Sequence, residues 1–246
     1  MPATAFIRSA SLLIGVPLLA AAAQAPEARW QRDLADLDQE RSRLQAAYEA
    51  RHLDEDTMDG TRQLLVHLHT LDQVLRKALY TPHEHGYGGT PDAEAFRKAW
   101  LTRLERQDAA HALRMKALLD RWGWFVRSRW GEETDRTAWL LIQHADQDPA
   151  FQKRALALLE PLVASGETDG RNYAYLFDRV AVNEGRPQRY GTQGYCVGPG
   201  QWRPRPMEDP EGVDARRRAL GLEPLAAYVA TFRGICREDE SARAKP

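Results

Sequence analysis

The residues best suited to chemistry fall between Trp139 and Gln193. Gln143, His144, Asp178, Arg179, Tyr190, Thr192 and Gln193 each sit in, or just after, an apolar helical pattern. A polar group placed there must find a partner or carry a desolvation cost of a few kcal/mol. His144 ends a segment containing Trp139, Leu140, Leu141 and Ile142, at the helix terminus where the backbone dipole favours an imidazolium. Asp178 and Arg179 are the only charges between Asn172 and Val182. A carboxylate in that setting must be paired, hydrogen-bonded or protonated.

Two chemistries suit this set. If Asp178 orients His144, the pair is a general base, as a hydrolase would use. Tyr190 and Gln193 would then contact substrate, with Gln143, Arg179 and Thr192 as further ligand-binding groups. If the cluster only secures a loop, the chain is a non-catalytic binding or interaction protein. No serine, cysteine or metal constellation stands at a recognised spacing, which favours the second reading. His83-Glu84-His85 lies in a Gly-rich loop and lacks the three or four fixed ligands of a metal site, so neither metal nor cofactor is expected.

The elements that must position these residues read as all-α, a single multi-helical domain of about eight helices. An N-terminal helical hairpin spans 24–80, with Trp30, Leu34, Leu37, Leu44 and Tyr48 on one helix. Leu64, Leu68, Leu71 and Leu75 recur at helical steps on the other. Asp72 falls on that second apolar stripe with Arg76 one turn later, the spacing of an intrahelical ion pair. A helical domain follows over 91–237. Its first helix opens with Thr90 as cap and Pro91 at the first position, and carries Gln107, Asp108 and His111 where apolar residues should fall. The aromatic run Trp122 to Trp130 reads as a core-lining connector, and Asp148-Pro149 as a helix start, with Asp146 exposed. A long irregular loop is expected at 184–206, and Arg216-Arg217-Arg218 as a solvated run.

Residues 1–23 have the layout of an export signal: a basic start, an apolar stretch and a small-residue cleavage site at Ala21-Ala22-Ala23. The protein is therefore expected in the periplasm or outside the cell, with no membrane span once the signal is removed. Cys196 and Cys236, the two cysteines, are expected to pair in that oxidising compartment. A formal charge of −1 in 246 residues supplies no field for nucleic acid or an anionic membrane. The expected partner is a small polar ligand or a cell-envelope protein. The tail at 238–246 reads as disordered.

Three stretches carry a family resemblance: QHADQDPAFQ, the DRV of YLFDRVAVNEGRPQRYGTQ, and WRPRPMEDPEGVDARRRALGLEPLAAYVA. Over about 122–230 they resemble a bacterial family of unknown function, DUF6624, and Asp72, Arg76 and Asp108 stand at compatible upstream positions. The resemblance implies a largely helical protein and attaches no reaction to it.

Overall fold

The structure, a computed structural model, describes residues 28–236, so the expected export signal at 1–23 and the expected tail at 238–246 lie outside the described residues. Eight helices longer than one turn are present among them: α1 (Arg29–Glu49), α2 (Met58–Lys77), α3 (Pro91–Trp122), α4 (Glu132–Gln143), α5 (Pro149–Val163), α6 (Gly170–Asn183), α7 (Val213–Ala219) and α8 (Leu225–Thr231). Side-chain caps set several of their starts. Thr57 accepts from Gly60 N, Thr90 from Ala93 N and Asp148 from Phe151 N. Each satisfies an amide that has no partner within its own helix.

Two apolar clusters hold the helices. In one, Leu64, Leu65 and Leu68 of α2 meet Met115 and Leu119 of α3, Leu141 and Ile142 of α4, Leu159 of α5 and Leu176 of α6. Trp124, Phe125 and Trp130 of the aromatic connector are buried in the same cluster. In the other, Leu34 of α1 and Leu75 of α2 pack on Phe96, Trp100 and Leu104 of α3. Because α2 and α3 contribute to both, the amino-terminal hairpin is continuous with the core. Truncating a side chain such as Met115, 0% exposed, to alanine would cost about 2 to 5 kcal/mol.

The segment expected to be irregular at 184–206 contains an antiparallel hairpin, β1 (Gly194–Gly198) and β2 (Gln201–Pro204). Tyr195 stands opposite Arg203 and Cys196 opposite Trp202. The reason is local: Tyr195, Val197 and Trp202 suit a pleated strand, and Pro199-Gly200 makes the turn, with Gly200 at φ 66. Cys196 and Cys236 form a disulfide with Cα atoms 5.4 Å apart, pinning β1 to the chain after α8.

Arg217 departs from the solvated run expected of Arg216-Arg217-Arg218. It is 0% exposed rather than solvated. Its Nη1 donates to Tyr190 O at 2.6 Å, its Nε to Glu223 O at 2.6 Å, and its guanidinium lies over the Tyr228 ring. Helix α7 turns that face inward, while the exposed Arg218 points to solvent.

Candidate functional site

Asp72 is the centre of the polar site. Its place on the apolar stripe of α2 carries it inward, and it is 0% exposed. Such a carboxylate survives only with donors around it. Arg76, one turn on, gives Nε to Oδ1 at 2.8 Å, and Gln73 gives Nε2 to Oδ2 at 2.9 Å. His144, the C-cap residue of α4, brings Nδ1 to Oδ1 at 2.9 Å. Burial pushes the Asp72 carboxyl up. The hydrogen bond and charge of His144, together with Arg76, outweigh burial and hold it down at about 2. An ionised carboxylate only accepts, so the network places a proton on Nδ1; Nε2 is a second donor in the charged ring and an acceptor in the neutral one. No described residue bonds Nε2, and the side chain is 15% exposed.

Arg76 extends the network to a third helix. Its Nη2 lies 2.7 Å from Oδ1 of Asp108 on α3. Burial raises the Asp108 carboxyl to about 6, against the opposing charge and hydrogen bond of Arg76. Asp108 also lines a cavity of about 260 Å³ that it shares with Lys116, Ala145, Gln147 and Asp148. On the other side, Arg76 lines a second cavity of about 310 Å³ with Gln73, Tyr80 and Trp100. His144 lines neither of these two, although Ala145 beside it lines the first.

The expected single site resolves into separate networks. Asp178 does not orient His144; it is 0% exposed and receives Arg189 N at 2.7 Å, Tyr190 N at 3.0 Å, and both N and Oγ1 of Thr192 at 2.8 and 2.9 Å. Burial raises its carboxyl, and those donors to its oxygens work against that shift. The carboxylate thus folds the loop around itself. Gly191, at φ 71 between two of the donors, takes a backbone conformation that favours glycine, and a Cβ there would lie 2.8 Å from Leu225 Cδ1 and require that side chain to shift. Tyr190, Thr192 and Gln193 belong to this loop-securing network: Gln193 N donates to Gln188 Oε1 and its Nε2 to Thr192 Oγ1.

Arg179 points elsewhere again. Its Nη1 meets Asp146 at 2.6 and 2.8 Å, so Asp146, although 57% exposed, is paired. Asp146 also accepts from Gln152 Nε2, which reaches Gln143 O as well. Gln143 and Arg179 therefore share a network at the end of α4, each with one buried side-chain atom lacking a partner, Oε1 and Nε respectively. Asp148 performs its capping role and also pairs with Lys116.

Several polar anchors escaped sequence reasoning. Asp135, fully buried, receives Trp124 Nε1 and Thr168 Oγ1 at 2.8 Å each and Arg127 Nε at 3.1 Å. Gln188, also fully buried, clamps Gln193 O and Arg205 O. Only their burial exposes their roles, because most of the groups they meet are distant or main-chain. In the His-Glu-His loop, His85 Nδ1 lies 2.9 Å from Asp33 Oδ1. Among the described residues no group of three or more His, Cys, Asp or Glu could hold a metal ion.

A model of a family of unknown function, DUF6624, matches residues 59–235 of the chain. No curated protein and no solved structure matches it.

Proposed function

Because the chain belongs to DUF6624, a family of unknown function, we propose a role from its own geometry: an exported, non-catalytic binding protein that takes a small polar ligand beside Asp108. The observation that carries this reading is the chain of contacts His144–Asp72–Arg76–Asp108, which spans α4, α2 and α3 and ends at the 260 Å³ cavity. A carboxyl raised to about 6 can donate or accept near neutral pH, while Lys116 and Gln147 on the same wall supply further donors. The cavity is small, so the ligand would be of amino-acid or hydroxy-acid size. Export is supported by the Cys196–Cys236 disulfide, and among the described residues no helix is long and apolar enough to cross a membrane.

Native mass spectrometry of the full chain, purified under mild conditions, tests this proposal. A small molecule should copurify with the natural sequence and be missing from Asp108→Asn; the same bound mass in both proteins would refute it.

A second reading rests on one specific feature. With Nδ1 held by the ionised Asp72, His144 keeps an unbonded Nε2, the arrangement of a general base. In that hydrolase His144 would activate water, with Asp72 as its orienter. It predicts that His144→Gln retains ligand while losing turnover.

A further inference from the structure

A separate groove runs between α1, α2 and α3, with a volume of about 650 Å³. Leu64, Leu68 and Leu71 form an apolar floor, and Arg41, Arg103, Arg106 and Arg114 line it. Four guanidinium groups there face two carboxylates. Asp38 takes Arg103 through both oxygens and lies 3.6 Å from Arg41, while Glu55 pairs with Arg114. The guanidinium groups outnumber the carboxylates by two, because Arg41 and Arg103 share Asp38 and Arg106 has no carboxylate partner among the described residues.

The arginines also crowd one another. Arg41 donates to Gln107 Oε1 at 2.9 Å rather than to a carboxylate at that distance. Burial lowers its pKa; Asp38 opposes the shift, while Arg103 and Arg106 add to it. Arg106 is exposed, and no described residue pairs with it. Like charges gathered on one wall are unfavourable unless an anion joins them.

The inner wall carries an independent sign of a missing partner. His111 lines the groove and is 5% exposed, yet its Nδ1 is buried with no hydrogen-bond partner. Buried polar atoms are nearly always satisfied, so this nitrogen on the groove wall calls for a partner from outside the described residues, a water or a bound ligand. Burial brings the His111 pKa down to about 4, so the ring is neutral at pH 7 and offers one donor and one acceptor.

We infer that this groove binds a doubly charged oxyanion, a phosphate group or a dicarboxylate, held by Arg106 and Arg41 and reached by His111. The apolar floor suits a ligand with a short hydrocarbon body behind the anionic group. The inference does not depend on the ligand beside Asp108, because the two cavities share no lining residue.

Isothermal titration calorimetry of the full chain with inorganic phosphate, and separately with succinate, tests it. Arg106→Gln is the informative variant, since that side chain has no partner whose loss could unfold the protein. Arg218→Gln, exposed on α7, controls for a general change in charge. At least one anion should bind saturably, weaken about tenfold in Arg106→Gln with the loss of a charge-assisted contact, and be unaffected by Arg218→Gln. The nitrogen resonances of His111 should shift on saturation. Binding of phosphate alone identifies a phosphate site, and of succinate alone a dicarboxylate site. No saturable heat from either anion, or equal weakening in both variants, overturns the inference.

Discussion

Oδ1 of Asp72 lies 2.9 Å from Nδ1 of His144, a contact between residues 72 positions apart that ties α2 to the end of α4. The same oxygen receives Arg76 Nε, and Arg76 carries the link on to Asp108 of α3. Three helices are therefore joined through one buried carboxylate.

Replacing that carboxylate should be costly. Asp72→Ala leaves Arg76 and His144 partly buried with one partner fewer, and a loss of about 3 kcal/mol is expected. Asp72→Asn, which keeps the volume and one acceptor, should lose less. Urea denaturation measures both; a change below about 0.5 kcal/mol in the alanine variant would place the network outside the stabilising contacts.

Asp178 has a different task and a different signature. Asp178→Ala orphans three backbone amides of the 189–192 loop, with an expected loss of about 3 kcal/mol. The loop should also become the first site cut in limited proteolysis. Native-like resistance there would show that the hairpin alone holds the loop.

The helices and their caps were legible in the sequence because they rest on local signals: apolar spacing on α2 and α3, and Thr90-Pro91 and Asp148-Pro149 at helix starts. Asp178 was legible as a buried carboxylate in need of partners, but not as the holder of a loop. Its donors are mainly main-chain amides, which carry no residue signature, so His144 was the nearest side chain on offer. Asp72 and Arg76 were visible as a pair on a stripe, and Asp108 as an interruption of another. Their convergence on His144 is a matter of helix packing, which periodicity does not encode. The strand pair was hidden by glycines and prolines that read as loop, and Arg217 by two neighbouring arginines that suggested a solvated run.

Acid response should expose two opposed groups. Asp108 titrates at about 6 in the fold against 3.8 as a free side chain, so the folded state holds that proton more tightly. Its contribution is complete below pH 3.8 and is lost as pH rises through about 6. His111 is reversed: with a folded value of about 4 against 6.5, its contribution is complete above pH 6.5 and is lost as pH falls through about 4. Between about pH 4 and 6 the two slopes oppose each other. Asp108→Asn removes one of them, so stability in the variant should fall more steeply than in the natural protein as pH drops across this window. Urea midpoints measured at stepped pH give the comparison, and parallel profiles would contradict the assignment.

The disulfide closes a separation of 40 residues. Cys196→Ser with Cys236→Ser should lower stability by about 3 to 4 kcal/mol in the chain-entropy account. Thiol labelling of the unreduced, denatured natural protein should find no free cysteine; labelling at both positions would remove the pairing.

The central claim is that a small polar ligand binds beside Asp108, at the end of the His144–Asp72–Arg76 network. Its most direct test is thermal denaturation with a panel of free amino acids, hydroxy acids and small sugars, run on the natural chain and on Asp108→Asn. Ligand at about 100 times its dissociation constant stabilises the folded state by about 2.7 kcal/mol, a clear upward shift in the midpoint. The account predicts that at least one compound gives such a shift in the natural protein and none in Asp108→Asn. A panel without effect on the natural protein, or an equal shift in both, would contradict it.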